Sequence, residues 1–293
     1  MSSTAVARNR AELATARAGL TGSVAVVMTM GALHAGHIEL VRQARKRADA
    51  VIVTIFLNPL QFGPGEDLAN YPRTFDDDLK LCTEEGVDLV FAPSPDVMYP
   101  DGNPGIRVTA GSLGDRLEGA SRPGHFDGVL TVVAKLFHLT RADLAFFGQK
   151  DAQQLLMIRR MVRDLDYGCQ IIAVPTVREA DGLALSSRNM HLSAFDREAA
   201  LALSRALMAG QAVSAEGASA VRRAARDVLV REPVALVDYL VLVHPDTLED
   251  VPEWYRGEAV LLVAARVGRT RLIDNLPLTV GVVSDAADTQ DNR

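Results

Sequence analysis

The sequence predicts an α/β protein in which a doubly wound parallel sheet is followed by a smaller α+β domain. Up to about residue 176, short β-rich runs alternate with helical patterns, as parallel strands joined by right-handed helical crossovers do. Two of these runs, residues 24–28 and 51–56, are unbroken and rich in valine and isoleucine, which is typical of strands buried on both faces. Beyond residue 176 two helical patterns precede three strand-like runs, and this order indicates a separate domain.

The elements of the first domain follow from hydrophobic periodicity. Residues 38–50 illustrate it, because Ile38, Val41 and Ala44 share one face while arginines occupy the others. The predicted order is strand 24–28, helix 38–50, strand 51–56, helix 74–85, strand 87–91, helix 128–139, strand 144–147, helix 150–165 and strand 169–174. Such a sheet binds its ligands at the carboxyl ends of the strands.

The rest of the chain predicts a different arrangement. Its elements are helices 194–210 and 214–231, followed by strands 236–243, 259–267 and 270–275. We therefore expect a Rossmann-like nucleotide-binding domain over residues 1–176 and a smaller C-terminal lid domain over 177–283. Residues 284–293 are polar and are expected to form a disordered tail.

Composition and charge exclude several classes of protein. Of the 293 residues 48% are hydrophobic and 23% charged, and the net charge of −6 is spread along the chain. This charge gives no electrostatic footprint for nucleic acid or an anionic membrane, and no apolar run is long enough to span a bilayer. Cys82 and Cys169 form no C-x-x-C pair, and no apolar segment follows the N-terminal arginines as in a signal peptide. We expect a cytoplasmic protein.

The most specific motif is MTMGALHAGH, which follows the first predicted strand and opens the first helix. Helix N-termini favour phosphates, because unpaired N–H groups point at them. Gly31 and Gly36 would let a nucleotide approach the backbone, while His34 and His37 could donate hydrogen bonds to its phosphates. A pair of surface or capping histidines, or a metal site, is the alternative. Neither a P-loop motif nor a dinucleotide-binding fingerprint follows any predicted strand.

A second motif, FLNPLQF, ends the strand 51–56. Asn58 and Gln61 are neutral groups that can bind hydroxyls or carboxylates, with Phe56 and Phe62 as apolar walls. A plain turn between two core phenylalanines explains the motif nearly as well.

A third motif, FFGQKDAQQ, runs from a strand end into a helix. The helix dipole disfavours a cation at this position unless an anion binds there too, so Lys150 indicates an anion site. The alternative is that Lys150 pairs with Asp151 or with the aspartates at 76–78.

A fourth motif, VREADGLALSSRN, lies just past the predicted domain boundary. Its hydroxyls and guanidinium could close over a triphosphate. Ser-Ser-Arg alone is a weak signal, because a helix N-cap uses the same residue types.

Taken together, the sequence resembles the pantoate–β-alanine ligase family, the pantothenate synthetases. Five strings recur in order at family-like spacing over roughly residues 20–280: TMGALHAGH, NPLQFG, YPRTFDDD, VREADGLALSSRN and LIDN. The T-x-x-x-H-x-G-H element is also similar to that of the wider nucleotidyltransferase superfamily, in which the histidines serve α-phosphate chemistry. The resemblance implies that pantoate and ATP, with Mg²⁺, give pantoyl adenylate and pyrophosphate. β-Alanine would then attack the adenylate to give pantothenate and AMP, in a homodimeric enzyme.

The resemblance also implies the site residues. His34, His37, Lys150 and Arg188 would serve catalysis, with His37 acting by electrostatic stabilisation because pyrophosphate release requires no proton. Gln61 and Gln154 would bind pantoate, with Asn58 nearby. Asp77 and Asp78 are candidates for a weak, partly water-mediated Mg²⁺ site. The residues that would bind ATP are Met30, Gly31, His34, His37, Gly148, Gln149, Lys150, Asp151, Val177, Leu185, Ser186, Ser187 and Arg188.

The chain departs from the family pattern at five positions, none of which removes a polar group assigned to catalysis. They are Met28, Gln149, Ala152, Leu185 and His191, where the family usually has Pro, Glu, Tyr, Met and Tyr. Three other functions remain as alternatives: another nucleotidyltransferase, a protein that binds ATP without turnover, and a metal hydrolase built on His34 and His37. The hydrolase needs a third metal ligand at tight spacing, which the sequence does not offer.

Overall fold

The computed structural model describes residues 4–63 and 67–281, and the expected tail at 284–293 lies outside these ranges. The chain forms two compact units. The first comprises Met1–Val177 with Leu185–Ser187, and the second comprises Arg178–Ala184 with Arg188–Arg293.

The first unit is built on a six-stranded parallel sheet, which confirms the predicted fold class. Its strands lie in the order β1-β4-β3-β2-β5-β6. They are β1 (Ala5–Ala7), β2 (Val24–Thr29), β3 (Ala50–Ile55), β4 (Leu89–Phe91), β5 (Leu144–Gly148) and β6 (Gln170–Val174). Strand β1 was not predicted. It has three residues and pairs with a strand more than 80 positions away, so no local pattern marks it.

Helices cover both faces of this sheet. They are α1 (Arg10–Ala18), α2 (Ala35–Arg45), α3 (Phe75–Glu84), α4 (Pro95–Met98), α5 (Glu118–Ser121), α6 (His125–Thr140) and α7 (Ala152–Asp164), with 3₁₀ turns at Pro59–Gln61, Asp67–Asn70 and Gly111–Asp115. Val24 and Val26 of β2 pack into the core that contains α6 and α7, whereas Val27 packs into the core that contains α2. Each such side chain contributes about 1.5–3 kcal/mol by burial. Burial on both faces explains the unbroken apolar runs.

The second unit is an antiparallel sheet packed against two helices. The sheet has the order β7-β8-β9, and the helices supply much of its core. The elements are a 3₁₀ turn at Ser187–His191, α8 (Ala194–Ala212), a 3₁₀ turn at Ser214–Glu216, α9 (Ala218–Val230), β7 (Ala235–Val243), β8 (Gly257–Val267) and β9 (Thr270–Val280). Strand β9 continues past Pro277, which an edge strand tolerates. In neither unit is a described helix long and apolar enough to cross a membrane.

Candidate active site

The strand order places a switch point between β2 and β5. From β2 the sheet continues through β3 to β4, whereas β5 and β6 lie on the other side. The connections that follow β2 and β5 therefore leave the sheet in opposite directions and open a crevice at its carboxyl edge, where ligands of such sheets bind. Lys150 and Asp151 act electrostatically on the imidazoles of His34 and His37. The motifs after β2 and after β5 thus lie close together at this crevice.

An acidic side chain of α3 holds the backbone of the loop after β2. Gly31 and Ala32 both adopt left-handed backbone conformations, with φ of 88° and 52°. The Asp78 carboxylate accepts hydrogen bonds from the backbone nitrogens of Ala32 at 3.0 Å and Leu33 at 2.8 Å. Asp78 is only 2% exposed. Each of its two oxygens accepts a hydrogen bond from the loop, so Asp78 positions the nucleotide motif. Its role as a Mg²⁺ ligand stays a prediction.

A closed metal site built from protein ligands alone is absent from the parts of the chain that the structure describes. They contain no group of three His, Cys, Asp or Glu side chains that could hold a metal ion. Asp77, the other candidate ligand, is exposed on the first turn of α3. The donor set therefore does not fit a Mg²⁺ ion held by the protein alone.

The two histidines of the motif form a stacked pair at the start of α2. His34 is the N-cap, and its Nδ1 accepts a hydrogen bond from the backbone nitrogen of Gly36 at 3.1 Å. His37 Nδ1 accepts one from the backbone nitrogen of His34 at 3.3 Å. The ring centroids are 4.0 Å apart. A side chain at Gly36 would meet the His34 ring, with a Cβ 2.9 Å from its Cε1, so any larger residue would displace that ring from the stacked pair.

Both imidazoles are neutral donors. Burial lowers the pKa of His34, and the charge of Lys150 lowers it further. Burial lowers the pKa of His37 to about 3, and His34 contributes to this lowering. Because each Nδ1 accepts a backbone N–H, the hydrogen of each neutral ring is on Nε2. The pair therefore offers two N–H donors at a helix N-terminus without carrying a charge.

The motif after β3 forms the 3₁₀ turn Pro59–Gln61. Gln61 is half-buried, and its Nε2 lies 3.2 Å from the sulfur of Met30 in the nucleotide motif. Asn58 is 1% exposed, and its amide bonds to Gln61 Oε1, to the Gly128 carbonyl and to the Tyr99 hydroxyl. Asn58 therefore lies behind Gln61 and supports it, rather than facing a ligand as we expected.

The motif after β5 turns into α7. Gly148 ends β5, the backbone nitrogen of Gln149 donates to the Val174 carbonyl at 2.8 Å, and Asp151 is the helix N-cap. Helix α7 begins at Ala152, so Lys150 precedes the helix predicted to contain it. Gln154 is half-buried in the first turn of α7.

Gln153, next to it, was not predicted to matter. It is 4% exposed, and its amide bonds to the carbonyls of Leu113 and Arg116 and the nitrogen of Glu118. It thereby fastens the segment before α6. Its sequence signal is indistinguishable from that of Gln154.

The fourth motif is shared by the two units. Leu185 donates its backbone N–H to the Val177 carbonyl at 2.9 Å, and a Cβ at Gly36 would lie 3.5 Å from Leu185 Cδ2. Leu185 thus reaches the start of α2 within the first unit, to which Ser186 and Ser187 also belong, both half-buried. Arg188 belongs to the second unit and is exposed.

Residues of the second unit hold both ends of this motif. Arg178 pairs with the buried Asp274 through two hydrogen bonds of 2.6 and 3.0 Å. Asn189 donates to Glu179 at 2.6 Å and to the Ala184 carbonyl at 3.1 Å. An ion pair between Arg178 and Asp274 therefore links the VREADG and LIDN strings. The sequence alone did not indicate this link.

Known proteins with similar sequences and folds belong to one family. Residues 2–277 match the pantoate-beta-alanine ligase family. The pantothenate synthetase of Thermobifida fusca (strain YX) is 59% identical over 268 residues, 88% of this chain and 90% of that protein. The crystal structure of pantothenate synthetase from Thermus thermophilus matches with a TM-score of 0.87 and 48% identity, over 93% of this chain and 99% of that one. Pantoate-beta-alanine ligase from Francisella tularensis, complexed with beta-gamma ATP and beta-alanine, matches with a TM-score of 0.76 and 33% identity, over 93% and 97% of the two chains.

Proposed function

The chain belongs to the pantoate–β-alanine ligase family, and from that premise we propose that it condenses pantoate with β-alanine through a pantoyl-adenylate intermediate, releasing AMP and pyrophosphate. The observation that carries the proposal is the stacked pair of neutral imidazoles, His34 and His37, at the N-terminus of α2 beside Lys150. These groups suit the α-phosphate of ATP, because the negative charge on a phosphate favours N–H donors and a cation.

In the first step a carboxylate oxygen of pantoate attacks the α-phosphorus of ATP, and pyrophosphate leaves. No proton moves in this exchange, so the protein contributes by stabilising negative charge. The Nε2–H groups of His34 and His37 donate to phosphate oxygens, and Lys150 neutralises the charge that builds on them. Ser186 and Ser187 of the first unit would add hydroxyl donors to the phosphates, and the family resemblance implies Arg188 as a further phosphate-binding cation.

Pantoate is held by uncharged amides. Gln61 presents its NH₂ group toward the nucleotide motif, and Gln154 lies on the first turn of the helix that follows Lys150. Amides bind both the hydroxyls and the carboxylate of pantoate without a charge that would compete with ATP. A polar site of this kind rejects acids that lack the matching hydroxyls.

In the second step the amine of β-alanine attacks the carbonyl carbon of the adenylate, loses a proton and expels AMP. The intermediate is not covalently attached to the protein. Burial raises the pKa of the Cys82 and Cys169 thiols to about 12 in each case, and a nucleophilic cysteine needs a thiolate. Exclusion of water from the crevice protects the adenylate from hydrolysis.

Magnesium, assembly and compartment complete the proposal. Because the described donor set does not fit a protein-held metal, Mg²⁺ enters with ATP, held largely by the phosphates. The homodimer is supported by the family resemblance. Two free, buried cysteines suit a reducing compartment such as the cytoplasm.

A single-turnover experiment tests the two-step mechanism. Enzyme, labelled ATP, Mg²⁺ and pantoate are mixed without β-alanine and quenched at intervals. Pyrophosphate and a tightly held adenylate should form in near-stoichiometric amounts, and added β-alanine should discharge the adenylate to AMP and pantothenate. If pyrophosphate forms only when β-alanine is present, the stepwise mechanism is wrong.

A further inference from the structure

A chain of hydrogen bonds in the first unit fixes the orientation of the Gln61 amide. It begins at Asn58, whose side chain lies between two backbone groups of fixed polarity. Asn58 Nδ2 is 3.1 Å from the carbonyl oxygen of Gly128, which can only accept. Asn58 Oδ1 is 3.3 Å from the backbone nitrogen of Leu60, which can only donate. The Asn58 amide can therefore take only one orientation.

This orientation determines the roles of its two side-chain partners. Asn58 Oδ1 must accept from the hydroxyl of Tyr99, 2.9 Å away. Asn58 Nδ2 donates to the side-chain oxygen of Gln61 at 3.0 Å. Because that oxygen faces inward, the NH₂ group of Gln61 faces the nucleotide motif, where it meets the Met30 sulfur. A thioether is a weak acceptor, so a substrate oxygen is a stronger partner for this group.

The backbone of Gln61 is fixed independently. Its carbonyl oxygen lies 2.8 Å from His125 Nδ1, which must carry the hydrogen because a carbonyl can only accept. Arg122 Nη1 lies 3.0 Å from His125 Nε2 and donates to it, which is consistent with that tautomer. Because the main chain of Gln61 is held, only its side chain remains free to rotate. The hydrogen bonds from Tyr99 through Asn58 fix that side chain.

We propose that Tyr99 is a positioning residue for the acid substrate, and that through Asn58 it directs the NH₂ group of Gln61 at an oxygen acceptor of that substrate. This inference rests on the proposed function, since it takes pantoate as the acid. It adds a direction to the contact: the substrate group opposite Gln61 must be a carboxylate or hydroxyl oxygen that accepts.

Tyr99 is suited to this part by its surroundings. It is 6% exposed, its ring packs edge-on against Phe56 with centroids 6.0 Å apart, and Lys135 lies over the ring at 5.5 Å. Burial raises the pKa of Tyr99, so the hydroxyl keeps the hydrogen that it donates. Neither its position nor its sequence context had marked it as a site residue.

A double-mutant cycle separates this role from a merely structural one. KM for pantoate, KM for ATP and kcat are measured for the wild type, Tyr99→Phe, Gln61→Ala and the double variant. Tyr99→Phe should raise KM for pantoate by about tenfold, the upper range for one lost hydrogen bond, and leave KM for ATP unchanged. In the Gln61→Ala background, Tyr99→Phe should raise KM for pantoate by less than about twofold, because Tyr99 acts through Gln61. Tyr167→Phe, which removes a hydroxyl before β6, is the control and should change neither KM.

A second variant tests the direction of the amide without touching the buried chain. Gln61→Glu replaces the outward NH₂ group by an oxygen that cannot donate, so it should raise KM for pantoate more than Gln61→Ala does. Equal effects of Tyr99→Phe in both backgrounds, or a smaller effect of Gln61→Glu than of Gln61→Ala, would overturn the inference. Wild-type pyrophosphate release with pantoate is measured first. Failure there overturns the proposed function and the inference with it, whereas an active wild type with an additive cycle overturns the inference alone.

Discussion

Asp78 Oδ1 lies 2.8 Å from the backbone nitrogen of Leu33, so a side chain of α3 holds the loop that carries the nucleotide motif. Asp78 also accepts a hydrogen bond from the backbone nitrogen of Ala32. These charge-assisted hydrogen bonds hold the left-handed backbone turn at Gly31 and Ala32. Such hydrogen bonds are stronger than neutral ones, and removal of the acceptor leaves two partly buried N–H groups unpaired.

Asp78→Ala should therefore lower both stability and the adenylation rate. We expect the free energy of unfolding to fall by about 1–3 kcal/mol, the cost of two partly buried N–H groups that lose their acceptor. The kcat for pyrophosphate release should fall by about tenfold or more, because the loop that carries the histidines loses its support. The exposed neighbour Asp77 supplies the matched control, since Asp77→Ala should change neither quantity appreciably. A Mg²⁺ titration distinguishes positioning from metal binding. Recovery of Asp78→Ala activity at high Mg²⁺ would show that Asp78 is a metal ligand after all.

Gly128 permits a close approach between α6 and the 3₁₀ turn that carries Gln61. A Cβ at this position would overlap the Leu60 carbonyl oxygen and lie 2.5 Å from its carbon. Gly128→Ala should therefore displace the turn, raise KM for pantoate and destabilise the protein by about 1–3 kcal/mol through overpacking. At Gly168 an added Cβ meets nothing within 4 Å, so Gly168→Ala is the control. Unchanged pantoate binding in Gly128→Ala would mean that the position of the turn does not matter.

The lowered pKa of His37 predicts a pH dependence of stability. Its pKa is about 3 in the folded protein and about 6.5 when unfolded. Between these values the unfolded state binds more protons, so the free energy of unfolding falls as pH decreases, by up to about 1.4 kcal/mol per pH unit for this group. Above about pH 6.5 His37 contributes no slope.

Urea unfolding of the wild type and His37→Gln between pH 4.5 and 7.5 checks this dependence. Carboxylates also titrate at the acidic end, so the informative quantity is the difference between the two proteins. His37→Gln should flatten the slope below pH 6.5, whereas substitution of the exposed His138 by Gln should leave it as in the wild type. Parallel curves for the wild type and His37→Gln would contradict a neutral His37 in the folded protein.

The positive charge of Lys150 contributes to lowering the pKa of both His34 and His37. Lys150→Ala should lower the adenylation rate by about 10²–10³-fold, the usual cost of losing one preorganised charge-stabilising group. Pyrophosphate exchange with pantoate measures this step alone. Lys80, exposed on α3, is the control, and Lys80→Ala should retain full activity. Near-normal exchange in a folded Lys150→Ala protein would remove Lys150 from the mechanism.

The parts of the fold and site that could be predicted are those written locally in the sequence. Strand–helix alternation gave the parallel sheet, and the strings at the ends of β2 and β5 identified histidines and a lysine that the structure brings together. The supporting contacts could not be predicted, because their partners are distant in sequence. Asp78 meets an amide 45 positions away and Asn58 meets Tyr99 41 positions away. A run of aspartates in the first turn of a helix is also explained by the helix dipole, so the run itself does not single out Asp78.

The ion pair between Arg178 and Asp274 leads to a prediction for the second unit. The side chains are 18% and 3% exposed, and Arg178 also donates to the Gly182 carbonyl at 3.1 Å. The buried Asp274 carboxylate accepts both guanidinium hydrogen bonds and one from the backbone nitrogen of Asn275 at 2.8 Å. Removal of one partner of such a pair typically costs about 3–5 kcal/mol. Asp274→Ala should therefore lower the unfolding midpoint markedly and loosen the segment 178–184, which this arginine holds.

Hydrogen exchange resolves where that loss falls. In Asp274→Ala, amides of residues 178–189 should exchange faster than in the wild type, because Arg178 no longer fixes one end of the turn. The pair of Arg271 with Asp238 is the control, since it joins the same strand to β7 at 2.6 Å but is more exposed, at 21% and 33%. Asp238→Ala should cost no more than about 1 kcal/mol and leave exchange in 178–189 unchanged. If the two variants proved equally stable, burial would not determine how much the Arg178–Asp274 pair contributes to the free energy of unfolding. If Asp274→Ala lowered stability but left exchange in residues 178–189 unchanged, the pair would stabilise the sheet without holding the motif.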